Sequence, residues 1–118
     1  MNHTSFARRH RRDSTHAEIA KALNDFGFSV KDTSKLGRDF PDMVVGLGGI
    51  TDLVEAKSVT GDLSDGQSEF AKSWRGAPIV VLKSKAEAIE WATRTRHERR
   101  RVAAPKQIGG VCRVEKVI

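Results

Sequence analysis

Apolar and polar residues alternate along the chain in patterns that predict several short helices and strands. From Ile19 to Phe26, apolar residues recur at the i, i+4 and i+7 spacing of one helical face. Gly27 follows where a left-handed residue would end a helix. The pattern therefore predicts a first helix over about residues 14–26, and residues 28–31 then predict a short strand.

Two β-rich runs, residues 43–47 and 50–56, are separated by Gly48 and Gly49. A Gly-Gly pair between two such runs indicates a tight hairpin, because both turn residues can adopt positive φ. Apolar side chains fall on both faces of these strands, which is typical of central strands that are covered on each side.

The second half of the chain contains two helix-start signals around a buried strand. Ser64 with Gln67 three residues later matches a capping box and predicts a second helix. Residues 79–82 form a continuous apolar run that predicts a strand, and a second box at Ser84 opens a third helix that extends to about residue 100. The predicted order is helix, three strands, helix, strand, helix (α-β-β-β-α-β-α), which indicates an α/β fold with helices flanking a small mixed β-sheet.

Length and composition favour one compact domain. The chain has 118 residues, of which 38% are hydrophobic and 31% charged. We expect residues 1–12 to form a flexible basic arm and residues 13–101 the domain, with residues 102–118 as a tail that includes a candidate edge strand at 111–117. The apolar runs are too short to cross a bilayer, and the lone Cys112 has no partner for a disulfide, so we expect a cytoplasmic protein with no membrane partner.

The formal net charge of +6 is the first indication of a binding partner. Clustered positive charge attracts polyanions, because each neutralised phosphate releases condensed counterions. Arginines on an ordinary solvated face are the alternative interpretation. The clusters are Arg8, Arg9, Arg11 and Arg12 near one end, and Arg94, Arg96, Arg99, Arg100 and Arg101 near the other.

The hairpin register predicts two acidic side chains opposite each other. With Gly48-Gly49 as the loop, Leu47 pairs with Ile50, and continuing the register makes Asp42 face Glu55. Facing side chains have Cβ atoms about 4.5–5.5 Å apart, a separation at which two carboxylates repel. A hard cation such as Mg²⁺ between them would compensate, and Lys57 follows on the same face as Glu55.

Each of these residues also has a simpler interpretation. Asp42 fits the first residue of a strand after Pro41, and Glu55 with Lys57 fits an exposed pair on an edge strand. A three-residue loop would shift the facing partner. The interior character of neighbours such as Leu53 favours the site, since charged side chains seldom project from the middle of a hydrophobic sheet without a function.

Pro41-Asp42, then twelve residues, then Glu55-Ala56-Lys57 resembles the signature of the PD-(D/E)XK nuclease superfamily, in particular its VRR-NUC branch and the related Holliday-junction resolvases. The resemblance extends over about residues 14–93. It implies a restriction-endonuclease-like core and hydrolysis of phosphodiester bonds with Mg²⁺, for which Mn²⁺ would substitute.

The resemblance also implies roles for individual residues. Asp42 and Glu55 would bind the metal, the carbonyl of Ala56 would complete its shell, and Lys57 would orient or deprotonate the attacking water. These roles agree with general chemistry, since a metal polarises the phosphoryl oxygen and lowers the pKa of bound water.

Two further positions match the family less specifically. Glu18 lies where many relatives carry a metal-directed glutamate on the first helix, although it also fits a solvated helix charge. Gln67 matches a glutamine that opens the helix after the core, alongside its role in the capping box. Asp39, three residues before Asp42, is a weaker candidate for the metal, and His16 for phosphate or metal.

The leading hypothesis is a metal-dependent endonuclease that acts on branched, flapped or otherwise structured DNA, as a homodimer where both strands are cut. Its small size suggests a phage or bacterial origin and therefore the cytoplasm of a bacterial or phage-infected cell. The alternatives are a non-catalytic nucleic-acid-binding protein of the same fold and a basic RNA-binding assembly protein. The residues expected to contact DNA phosphates are Arg8, Arg9, Arg11, Arg12, Arg38, Arg94 and Arg96.

Overall fold

The computed structural model of the chain describes residues 15–103, with side chains described as far as residue 100. Within that range three helices accompany a four-stranded mixed β-sheet, which confirms the small α/β class. The predicted basic arm and most of the tail, with its candidate edge strand, lie outside the described residues. The elements are α1 (15–25), β1 (Ser29–Asp32), β2 (Met43–Leu47), β3 (Ile50–Ala56), α2 (Asp65–Ser73), β4 (Val80–Leu82) and α3 (Lys85–Ala103).

The sheet has the strand order β1-β2-β3-β4, so β2 and β3 are central, as predicted. The pairs β1–β2 and β2–β3 are antiparallel, whereas β3 and β4 are parallel and are joined by the crossover helix α2. Gly48 and Gly49 adopt φ of +64° and +80°. Leu47 pairs with Ile50, which confirms the predicted two-residue turn and register.

Helices α1 and α3 cover one face of the sheet and form the main core with it. Alternate residues of β2 and β3 point to this face, among them Met43, Val45 and Val54. Full burial of each large apolar side chain contributes about 1.5–3 kcal/mol of stability. The buried core consists of Ile19, Ala22, Leu23, Phe28, Met43, Val45, Val54, Leu82, Ala88 and Ala92.

The two predicted capping boxes have different outcomes. At α2, Ser64 Oγ accepts from the Gln67 N–H (3.1 Å) and Gln67 Oε1 accepts from the Ser64 N–H (2.9 Å), which confirms the box. At α3, Ser84 Oγ accepts from the Glu87 N–H (3.1 Å), but the Glu87 carboxylate accepts from the Lys83 N–H (2.8 Å). The second box is therefore only half formed, because Glu87 reaches the N–H one residue before the cap.

The other face of the sheet carries α2, whose side chains include no fully buried residue. Leu53 and Glu55 of β3 point to this face, since they alternate with the core residue Val54. Within residues 15–103, no helix combines the length and the apolar character needed to cross a membrane.

Candidate functional site

Asp42 is fixed immediately before β2 by backbone contacts on one side and by β3 on the other. The Thr33 N–H donates to the Asp42 carbonyl, and Thr33 Oγ1 donates to the Pro41 carbonyl, both at 2.8 Å. Asp42 Oδ2 accepts from the Ala56 N–H at 2.9 Å. The carboxylate is therefore held across the end of β3, next to Glu55.

Glu55 is a charged residue in the interior of the sheet, with 3% of its surface exposed. Its Oε2 accepts a hydrogen bond from Gln67 Nε2 at 2.7 Å. Lys57 Nζ lies 3.8 Å from the same oxygen, and the Lys57 N–H donates to the Leu82 carbonyl at 3.0 Å. The crossover helix and the start of the loop after β3 thus each present a polar group to this carboxyl.

The pKa of Glu55 is raised to about 7, first by burial and second by the negative charge of Asp42, whereas Lys57 acts in the opposite direction. The side chain and the backbone N–H of Asp42 both interact with the Glu55 carboxyl. The two carboxyl groups therefore lie together on the α2 face, as the register predicts. A cation bound between them would favour the ionised form of Glu55 and displace its proton.

The oxygen atoms of this site suit a small divalent cation. Mg²⁺ is commonly bound by one or two carboxylates and completes its shell with water and substrate phosphate oxygens. Asp42, Glu55 and the carbonyl of Ala56 are donors of that type. Within residues 15–103, no group of three or more His, Cys, Asp or Glu side chains is arranged to hold a metal.

Glu18 does not join the two carboxyl groups, contrary to the expectation from the resemblance. It is exposed on α1, and α1 packs on the face of the sheet opposite to Glu55. The first helix therefore places its acidic residue in a different layer. The structure shows no contact of His16 with the site either; its charge acts instead on Asp32 of β1.

Gln67 forms the predicted cap of α2 and also contacts Glu55. Because its Oε1 accepts from the Ser64 N–H, its Nε2 is directed to Glu55. The cap thus fixes the amide that positions the Glu55 carboxyl. The two hydrogen bonds of the Gln67 side chain therefore attach the first turn of α2 to Glu55.

Asp39 lies closer to this helix start than its place in a loop suggested. Its carboxylate lies so near Gly66 that any Cβ at that position would clash with it. Asp39 and Arg38 both have positive φ, at +64° and +53°, which is uncommon for residues other than glycine. Acidic groups are favoured at helix N-termini, so α2 supports this unusual loop. Gly37, Asp39 and Pro41 indicate a turn in the sequence, but not its contact with the start of α2.

The basic residues predicted to bind phosphate are distributed over both layers. Arg38 is exposed in the loop before Asp42. Arg94 and Arg96 are exposed on α3, in the layer opposite to the carboxyl pair, and Arg96 Nη1 also donates to the Phe26 carbonyl at 3.3 Å. Arg8, Arg9, Arg11 and Arg12 lie outside the described residues.

Arg99, a member of the second arginine cluster, makes its described contacts within the fold. Its Nη2 pairs with Asp52 Oδ2 at 2.5 Å, and its Nη1 donates to the Leu47 carbonyl at 3.0 Å. Only 14% of the Arg99 side chain is exposed, so the guanidinium is not available to a phosphate. The pair instead attaches α3 to the β2–β3 hairpin.

Comparison with protein-family models, curated proteins and solved structures finds no match for this chain. The motif of Asp42, Glu55 and Lys57 therefore stays a resemblance. The support for a function comes from the geometry of these three residues.

Proposed function

We propose that the chain is a metal-dependent endonuclease that hydrolyses phosphodiester bonds of branched or otherwise structured DNA. The observation that carries the proposal is the placement of the buried Glu55 against a second carboxylate, Asp42, with Lys57 Nζ at 3.8 Å. Two acids held this close destabilise the domain unless a cation or a proton compensates. A metal-binding role explains why both carboxyl groups are present at this place. The restriction-endonuclease-like core that the motif suggests is part of the same proposal.

Each residue contributes a distinct step in this proposal. A bound Mg²⁺ or Mn²⁺ would stabilise charge on the phosphoryl group and lower the pKa of attacking water. Asp42, Glu55 and the Ala56 carbonyl would hold the ion. Gln67 keeps the Glu55 carboxyl in one orientation through its 2.7 Å bond. The Lys57 ammonium would hold the attacking oxygen beside the phosphate and stabilise it electrostatically as it loses its proton to solvent.

The charge of the chain supports a polyanionic substrate. With a net charge of +6, its arginines would bind backbone phosphates without reading base sequence. Recognition by shape, as expected for a structure-selective enzyme, requires no base-specific contacts. A single site cuts one strand, so cleavage of both strands at a junction requires two protomers related by symmetry, and we propose a homodimer for that activity.

A nicking assay with the purified full chain tests the proposal. Junctions, flaps, duplexes and single strands are incubated with Mg²⁺, Mn²⁺ or EDTA, and we expect metal-dependent cleavage of the branched substrates. Asp42→Ala and Lys57→Ala should each lower the cleavage rate by about 10²- to 10⁴-fold, the usual contribution of a general acid, base or electrostatic group.

Asp62→Ala and Lys83→Ala are the matched controls, since these residues form a separate ion pair at 3.6 Å with the Asp62 side chain 92% and the Lys83 side chain 32% exposed. Both control variants should cleave at the rate of the unmodified chain. DNA binding without cleavage by any variant would instead support the non-catalytic binder. High RNA affinity, unchanged by Asp42→Ala and without cleavage, would support the RNA-binding assembly protein.

A further inference from the structure

A row of aromatic side chains extends along α2 from the carboxyl pair. Phe40 and Phe70 meet edge to face with ring centroids 5.6 Å apart, and Phe70 and Trp74 are stacked with centroids at 5.4 Å and planes 14° apart. We call Phe40, Phe70 and Trp74 the aromatic row. Phe70 and Trp74 share one face of this segment, but α2 contains no fully buried residue.

Trp74 is exposed although it is held in a fixed orientation. Phe70 covers one face of its indole, and the backbone of Gly76 lies beside Nε1, where a Cβ would come within 2.7 Å. Even so, 42% of the residue remains accessible to solvent. The other tryptophan, Trp91, is only partly exposed and packs against the buried Phe28 with centroids 5.2 Å apart. Trp74 thus presents a large, rigid ring surface to solvent.

The aromatic row starts at the candidate site. Gln67, Phe70 and Trp74 follow the i, i+3, i+7 spacing of one helical face, and Gln67 bonds Glu55 at 2.7 Å. Phe40 lies two residues before Asp42. At 1.5 Å per residue, the Cα of Trp74 lies about 10 Å along the helix from that of Gln67. The indole is therefore within a short polymer segment of the carboxyl pair.

The charges around Trp74 suit a polyanion. Along the sequence, the acids of α2, Asp65 and Glu69, precede Phe70, whereas Lys72 and Arg75 lie two residues before and one residue after Trp74, and both are exposed. Positive charge beside an exposed aromatic ring is the combination by which proteins bind single strands, with bases on the rings and phosphates along the cations.

We propose that Trp74, supported by Phe70, stacks an unpaired base of a nucleic-acid strand whose backbone passes the carboxyl pair. The inference deepens the proposed function and rests on it for the position of the cleaved phosphate. Paired bases in a continuous duplex are already stacked and leave no face for the indole. A base freed at a flap or junction leaves a face open to the indole, so the aromatic row would select branched DNA over plain duplex.

Because the chain has two tryptophans, Trp91→Phe leaves Trp74 as the single fluorescent indole. The full-length Trp91→Phe chain is titrated in EDTA with oligothymidylate, with an abasic oligonucleotide of the same length and with a blunt duplex. We expect quenching by the oligothymidylate and little change with the abasic strand, which has the same phosphates and no bases. In the original chain, Trp74→Leu should weaken oligothymidylate binding by about 5- to 150-fold, the effect of losing one stacked base.

Trp74→Phe retains a ring and should bind within about threefold of the original chain, and thermal unfolding of each variant verifies that it is folded. Equal quenching by the abasic strand, or unchanged affinity in a folded Trp74→Leu chain, would overturn the inference. The same results are expected if this surface binds a protein instead of a base. Since binding is measured without metal, it is independent of cleavage. Selective quenching without any cleavage would support the stacking site and reject the nuclease, whereas cleavage without quenching would do the reverse.

Discussion

Glu55→Gln tests whether the buried carboxyl is a destabilising charge in the metal-free protein. The substitution keeps the size of the side chain and an oxygen acceptor for Gln67, and it removes the charge beside Asp42. Any loss of attraction to Lys57, whose Nζ is 3.8 Å away, acts in the opposite direction and is smaller than the effect of burial. We therefore expect Glu55→Gln to stabilise the metal-free domain.

The size of the effect follows from the pKa of Glu55, which is raised from an ordinary 4.5 to about 7. The folded chain then binds more protons than the unfolded chain between these pH values, so its stability falls as pH rises through this window and is constant above it. With 1.36 kcal/mol per pKa unit, the difference between Glu55→Gln and the original chain is near zero at pH 4.5 and reaches about 3 kcal/mol at pH 8.

Urea denaturation at several pH values between 4.5 and 8, in EDTA, measures this difference directly. Adding Mg²⁺ at pH 8 should reverse the order once it reaches about 1,000 times its Kd, because it then stabilises the binding-competent chain by about 4.1 kcal/mol. Glu69→Gln, an exposed position on α2, is the matched control and should differ from the original chain by less than about 0.5 kcal/mol at every pH. A difference between Glu55→Gln and the original chain that does not change with pH would refute the reasoning.

Two other predictions concern the framework around the site. Gly66→Ala should change the free energy of unfolding by less than about 0.5 kcal/mol, since a gain of about 1 kcal/mol in helix propensity is offset by displacement of the Asp39 carboxylate. In an Asp39→Ala chain, Gly66→Ala should raise the free energy of unfolding by about 1 kcal/mol. Equal effects of Gly66→Ala in both backgrounds, measured by urea denaturation, would contradict the close approach of the Asp39 carboxylate to Gly66. Arg99→Ala should cost about 3–5 kcal/mol because it leaves Asp52 buried and unpaired, whereas the exposed Arg96→Ala should cost less than about 1 kcal/mol. Similar losses for the two arginine variants in thermal and urea unfolding would show that the Asp52 pair is not structural.

Local signals in the sequence were sufficient where short-range geometry decides the structure. Gly27 adopts φ of +99° after α1, and Gly48-Gly49 forms the turn that sets the strand register. That register brings Asp42 beside Glu55, because side chains alternate strictly along each strand. The α/β class and the carboxyl pair are therefore both accessible to sequence reasoning.

Features that depend on how the layers pack were not predictable in this way. Asp52 and Arg99 are 47 residues apart, and nothing local indicates that α3 packs over the end of the hairpin. Whether Glu18 lies above or below the sheet depends on which face α1 covers, and the apolar stripe of α1 is compatible with either. The exposure of Trp74 was equally inaccessible, because helical spacing alone does not distinguish a buried face from an exposed aromatic one.

The sparse anchoring of α2 has a consequence for access to the carboxyl groups. The helix contributes nothing to the main core, and its described side-chain contacts with the rest of the fold are polar, through Gln67, or aromatic, through Phe70. Segments with few buried contacts open at a lower free energy than the core of a domain. We therefore expect α2 to open at a lower free energy than the sheet, α1 and α3, which would widen the approach to Glu55 for a bulky polymer without global unfolding.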